Sequence, residues 1–202
     1  MRTLAFVLSA AVIGAVAVFY GMVMSEGEDD GARKVILVPR PDAAPQAGTA
    51  TNWAEYLERH DPPLAASQTP FQGADGAALT LADFKGKGLV VNLWATWCAP
   101  CVREMPSLNR LQKEVAADGI PVVAISSDRG GLDLVEVFMA THKLDALKPY
   151  LDPLGEFTRS TGGRGLPRTY IINAAGEVAA SYVGPAEWDS PDLIAAIREL
   201  AR

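Results

Sequence analysis

The chain has 202 residues, with 18 Lys and Arg against 24 Asp and Glu for a formal net charge of −6. Its basic residues are scattered rather than clustered, so it lacks the electrostatic footprint of a nucleic-acid binder and no nucleic-acid partner is expected. The length fits one domain with appendages, and its 2 cysteines are too few for the disulfide framework of a small secreted fold.

From Leu4 to Met24 the stretch LAFVLSAAVIGAVAVFYGMVM carries no charge. As a helix rising ~1.5 Å per residue it would reach about 31 Å, enough to span a bilayer. The apolar centre of a cleaved signal peptide is only ~7–15 residues long. Residues 1–24 therefore read as a retained transmembrane anchor. Arg2 precedes the stretch, whereas Glu26, Glu28, Asp29 and Asp30 follow it, which favours the N-terminus inside and the bulk of the chain outside. Residues 25–50 include PRPDAAPQAGTA and read as a flexible, semi-extended tether. Within it, Val35–Val38 is either an edge strand or an apolar patch.

The folded domain is expected over 51–202. NWAEYLERHDPP predicts a short helix stopped by Pro62 and Pro63, and Gly73–Gly76 a hairpin loop. Leu89–Ala95 is a continuous apolar run that predicts a strand buried on both faces. Val102, Met105, Leu108, Leu111 and Val115 recur at helical spacing. IPVVAISS predicts a second buried strand, and LDLVEVFMATHKL a second amphipathic helix. RTYIIN and EVAASYVG form a predicted hairpin about Gly176, and a last helix opens with Ser190 as its N-cap, Pro191 in its first position and Asp192 complementing its dipole. Strands alternating with helices imply an α/β fold around a central mixed sheet.

Both cysteines lie in WATWCAPC, Trp94–Cys101, at the predicted junction of strand and helix. Free N–H groups and the positive dipole end at a helix start stabilise a thiolate, which makes Cys98 the attacking sulfur. Cys101 is placed one turn deeper, able to attack the mixed disulfide and release the product. Pro100 fixes φ at the helix start. Other readings of the pair are open. A structural disulfide across so short a loop gains little chain entropy. A zinc site needs about four ligands, and His60 and His142 show no finger-like spacing to the pair. Cu(I) suits two soft thiolates, which leaves a membrane-tethered Cu(I)-binding or docking module as the alternative function. Trp97 beside the pair would supply an apolar docking rim, and Trp94 is equally suited to the core.

WATWCAPC followed by VREMP resembles the thioredoxin fold, specifically the TlpA-like branch of membrane-anchored thiol-disulfide oxidoreductases, over roughly residues 65–202. Pro106 matches a helix-kinking proline of that family, and GRGLPRT matches the loop carrying its cis-proline, here Pro167. The interval 102–166 leaves room for the TlpA-type helix-and-strand insertion, and GPAEW, Gly184–Trp188, resembles the ending of TlpA. The resemblance implies that Leu166 and Pro167 present backbone to an extended substrate. It also implies that Glu104, three residues beyond Cys101, replaces as proton carrier the buried Asp of plain thioredoxins, at whose strand position this chain has Asn92. No cofactor is expected beyond the Cys98–Cys101 disulfide itself, and no metal. With Ala99-Pro100 rather than a His between the sulfurs, a reductant is expected. The implied setting is the periplasmic face of a bacterial inner membrane. There a membrane thiol-electron donor would supply the protein, and its substrates would be disulfide-containing proteins of cytochrome c maturation or cytochrome oxidase copper-centre assembly.

Overall fold

A computed structural model describes residues 52–162 and 165–202. The anchor, the tether and the Val35–Val38 stretch lie outside the described residues. No helix among the described residues is long and apolar enough to cross a membrane.

The first described segment departs from the sequence expectation. A 3-10 turn at Trp53–Tyr56 is followed by strand β1 (Glu58–Ala65), which runs through Pro62 and Pro63 rather than ending a helix there. The reason is position. Among the described residues β1 is an edge strand with a ladder to one neighbour, and its register there jumps between Arg59 and Leu64, so neither proline has to donate to that ladder. The 3-10 turn is held instead by burial of Trp53 and by the Ala54 N–H donating to Asp192 Oδ2 at 2.8 Å.

β2 (Phe71–Gln72) and β3 (Ala78–Leu79) form the expected hairpin, with Gly76 at φ 77° supplying the left-handed turn residue. β4 (Leu89–Trp94) is buried at all six positions, as a central strand with helices or loops on both faces must be. Helix α1 (Ala99–Val115), β5 (Val122–Ser126), α2 (Gly131–Thr141), β6 (Tyr150–Leu151), α3 (Glu156–Ser160), β7 (Arg168–Ile172), β8 (Glu177–Val183) and α4 (Pro191–Leu200) complete the order. Among the described residues the strands make one mixed sheet, β1-β8-β7-β4-β5-β6-β2-β3, with β4 parallel to β5 and antiparallel to β7.

Alternation along β4 divides the core. Val90 and Trp94 face one side and pack with Met105 and Leu108 of α1, Val135 and Met139 of α2, and Leu193 and Ile197 of α4. Leu89, Val91 and Leu93 face the other side, with Val123, Ile125, Phe157 and Tyr170. Each such buried side chain stabilises the fold by roughly 1.5–3 kcal/mol. A side chain at Gly88 would run into the backbone of Ala201, so glycine there lets the end of α4 abut the start of β4. The inserted β6 and α3 lie between β5 and β7 in sequence, and β6 extends the sheet beside β5.

Helix α4 begins where expected, but not by the expected cap. Ser190 has the extended backbone of an N-cap, yet its hydroxyl makes no capping bond and is buried without a partner. Asp192, foreseen as a complement to the dipole, is engaged by Ala54.

Candidate active site

β4 delivers the chain to the buried Trp94, whose ring packs on Phe138 at 5.2 Å between centroids. After a three-residue loop, Cys98 occupies the N-cap of α1, and its Sγ accepts the Cys101 N–H at 3.3 Å. The two cysteines are joined as a disulfide. Cys98 is 6% exposed and Cys101 0%, so an incoming sulfur meets Cys98 first. Once reduced, a Cys98 thiolate would keep the Cys101 N–H and the dipole end of a 17-residue helix as its stabilisers. Pro100 lies in the first turn of that helix, where its missing N–H costs nothing. Trp97 is 70% exposed and stands beside the pair as a large apolar surface, while Trp94 is core.

The Leu166–Pro167 peptide is cis. Pro167 is buried and its carbonyl accepts the Gly184 N–H at 3.0 Å, while Leu166 packs on the same apolar cluster that contains Cys98 and Cys101. The expected docking residues Trp97, Pro100, Leu166 and Pro167 thus belong to one end of the sheet, at the carboxyl end of β4 and the start of β7.

Behind the sulfurs, Glu104 is 2% exposed, not a solvated helix residue. Its Oε2 accepts the indole N–H of Trp188 at 2.9 Å and the Ala186 N–H at 3.1 Å, and its Oε1 accepts Asn92 Nδ2 at 2.9 Å. Asn92 Nδ2 also donates to Thr169 Oγ1 at 2.9 Å. Burial pushes the carboxyl up to about 7, against the pull of these donors. Tyr182 faces it from β8 and is itself pushed up to about 12, first by its own burial and then by the Glu104 charge. A group that titrates near neutrality, one helical turn from Cys101, is matched to taking and returning a thiol proton.

The sequence expectation singled out Glu104 as three residues beyond Cys101, but not the groups that surround its carboxyl. Trp188 and Ala186 come from GPAEW, a stretch noted above only as a family-like ending. Ser107 fastens that stretch by donating to the Glu104 carbonyl at 2.8 Å and accepting the Trp188 N–H at 3.1 Å. Replacing Trp188 by Phe removes one donor to the carboxylate and should raise the Glu104 pKa by about one unit. Its titration, followed through the pH dependence of Cys101 alkylation in the reduced protein, checks this.

A second buried carboxylate was also missed. Asp128, 2% exposed, accepts Thr96 N–H at 2.8 Å, the Thr96 hydroxyl at 2.7 Å and the Ser126 hydroxyl at 2.7 Å. It clamps the loop that leads into Trp97 and Cys98. Its signal in the sequence was the polar SSD run at the carboxyl end of a parallel strand, where α/β sheets place their sites. Arg168, by contrast, is paired in register with Leu93 and so lies on the face of β7 opposite Thr169 and Glu104.

The Redoxin family signature extends over residues 41–197. The chain belongs to the Redoxin family. Within it, this redoxin has the thioredoxin fold of the TlpA-like type. It is 33% identical over 110 residues to the thiol-disulfide oxidoreductase ResA of Bacillus thuringiensis subsp. konkukian, an alignment covering 54% of this chain and 62% of that protein. With the thioredoxin-like protein YneN of Bacillus subtilis it shares 34% over 109 residues, 54% of this chain and 64% of that one. The chain therefore spans less than two thirds of the length of these curated relatives. Among solved structures, a thiol:disulfide interchange protein of Chlorobium tepidum superposes with a TM-score of 0.54 at 29% identity, over 69% of this chain and 96% of that chain. The family signature begins upstream of residue 65, where the motif resemblance begins, and so takes in the edge strand β1.

Proposed function

We propose that this redoxin is a membrane-anchored thiol-disulfide oxidoreductase that reduces disulfides in partner proteins. The observation that carries the reading is the Cys98–Cys101 disulfide at the start of α1 with the neutral-range carboxyl of Glu104 buried one turn behind it. In the reduced protein the Cys98 thiolate attacks one sulfur of the substrate disulfide. A Cys98–substrate bond forms as the substrate S–S bond breaks, and the departing sulfur takes up a proton. Glu104 then accepts the Cys101 proton, and Cys101 attacks Cys98 Sγ. The second substrate thiol leaves, the Cys98–Cys101 disulfide closes, and two electrons have passed to the substrate. Trp97 and the Leu166–Pro167 backbone hold the extended substrate segment beside Cys98.

The uncharged 4–24 stretch and the charge difference across it support anchoring in a bacterial inner membrane, with residues 51–202 on the periplasmic side. In that setting a membrane thiol donor returns the two electrons, and the substrates are disulfide-containing proteins of cytochrome c maturation or copper-centre assembly. The test is catalytic reduction of insulin disulfides by the full chain with dithiothreitol as donor. Many turnovers per molecule are expected, and none with Cys98→Ser. Less than one turnover per molecule, together with tight Cu(I) binding by both sulfurs, would replace the oxidoreductase with a copper-holding module.

A further inference from the structure

Asp128 is a buried carboxylate that the proposed reaction does not use. It follows β5 at the end of the sheet that carries the dithiol, and it is 2% exposed. Its Oδ2 accepts the Thr96 N–H at 2.8 Å and the Ser126 hydroxyl at 2.7 Å, and its Oδ1 accepts the Thr96 hydroxyl at 2.7 Å. Both oxygens only accept, which is the arrangement of an ionised carboxylate held by donors. Among the described residues it forms no ion pair, so its charge is not cancelled by a cation in contact.

That charge lies close to the attacking sulfur. The Thr96 N–H it binds at 2.8 Å is two residues before Cys98, and two residues span at most ~7 Å, so the carboxylate is within about 10 Å of the Cys98 backbone. The Cys98 N–H donates to the Ala95 carbonyl at 3.1 Å, a turn that shortens the span further. A buried charge at such a distance is only weakly screened. The other charged or titratable groups around the loop are few. Glu104 faces the pair from α1 with Tyr182 of β8 beside it, Arg103 and Arg129 are exposed, and Arg168 opens β7 on its opposite face.

We infer that Asp128 sets the reducing power of the dithiol, its fixed negative charge disfavouring the Cys98 thiolate and so favouring the disulfide over the reduced pair. The helix start and the Cys101 N–H pull the other way, because they stabilise the thiolate. Oxidation removes that thiolate, so whatever destabilises it makes the pair a stronger reductant. The inference rests on the oxidoreductase reading and supplies a residue for its reducing direction. Against glutathione the exchange is balanced: the protein dithiol and one glutathione disulfide give the protein disulfide and two glutathione thiols, with two electrons and two protons passed across.

The test is the equilibrium of the full chain with reduced and oxidised glutathione at pH 5 and pH 9, read by alkylation and mass after acid quenching. Asp128→Asn removes the charge and keeps the shape, since the Thr96 and Ser126 hydroxyls can turn to accept from an amide. At pH 9, where the thiolate is populated, the variant should move the equilibrium about tenfold toward the dithiol, or about 30 mV for the two-electron pair. At pH 5, where both thiols are protonated, it should move it hardly at all. Asp128→Ser, a second removal of the charge, should act in the same direction. Thr96→Val keeps the charge and breaks one bond of the clamp, and should leave the equilibrium unchanged. Cooperative urea unfolding of each oxidised variant shows that it is folded. An equal shift at both pH values, a Thr96→Val shift as large as that of Asp128→Asn, or no shift on removing the charge would each overturn the proposal. Failure of the wild-type protein to reduce insulin strikes the oxidoreductase reading instead, and the glutathione equilibrium of the two sulfurs still reports on Asp128.

Discussion

Cys101→Ser leaves Cys98 bonded to whatever disulfide it last attacked, so a covalent enzyme–substrate species accumulates. The cause is the division of labour set by the helix start. Cys98, at the N-cap and the more exposed of the two, makes the first bond, and the fully buried Cys101 is the sulfur placed to break it. Without that sulfur, turnover of insulin should fall by roughly three orders of magnitude while the first attack stays fast. Non-reducing electrophoresis and mass spectrometry of the variant, expressed in a bacterium with a cytochrome c maturation system, would identify the trapped partner. The trapped bond must map to Cys98 and disappear with reductant. Failure to recover any mixed disulfide, from the cell or with insulin as substrate, would refute the assigned order of attack.

Glu104→Gln should slow substrate release by about a hundredfold, the low end of what a positioned general base contributes. The diagnostic readout is the pH profile. In the wild-type protein the rate should rise through a pKa of about 7, the value to which burial pushes the carboxyl that is to take the Cys101 proton. In Glu104→Gln that inflection should vanish, because glutamine does not titrate. An unchanged profile would remove Glu104 from the reaction.

Stability supplies an independent arm with a definite sign. The carboxyl titrates near 4.5 when unfolded and near 7 when buried, so the folded state binds the proton more tightly. Its contribution is fully present below about 4.5 and is lost as the pH rises through about 7. The loss is on the order of 3 kcal/mol. Urea denaturation of the oxidised wild-type protein should therefore show falling stability across that window, and Glu104→Gln a nearly flat one. The amide retains only one acceptor oxygen for three donors, which offsets part of the gain above pH 7.

The legible parts of this protein were those in which local chemistry and fold agree. Leu89–Trp94 reads as a buried strand because its five apolar residues, interrupted only by Asn92, fall on both faces of the run, and it is buried throughout. The C-x-x-C pair at the following helix start was readable for a related reason, because its chemistry depends on spacing along the chain, which the sequence displays directly. The cis proline of GLPRT was readable only through the resemblance of its loop to that of a known family. The edge strand was misread because its two prolines mark the end of a helix in local terms. Only its place at the margin of the sheet, where half the backbone needs no ladder, makes them acceptable.

By itself, then, the sequence determined the cysteine pair, its strand-to-helix setting and the order of the central elements, since each is written in residues close along the chain. The tertiary structure decided how Glu104 is tuned. Its donors come from Asn92 on β4 and from Ala186 and Trp188 before α4, far apart in sequence and joined only when α1 packs between them. It likewise decided that Asp128 clamps Thr96, and that β1 crosses the far edge. Spacing can set one sulfur beside another, but a buried carboxyl takes its charge state from the surroundings that folding assembles around it.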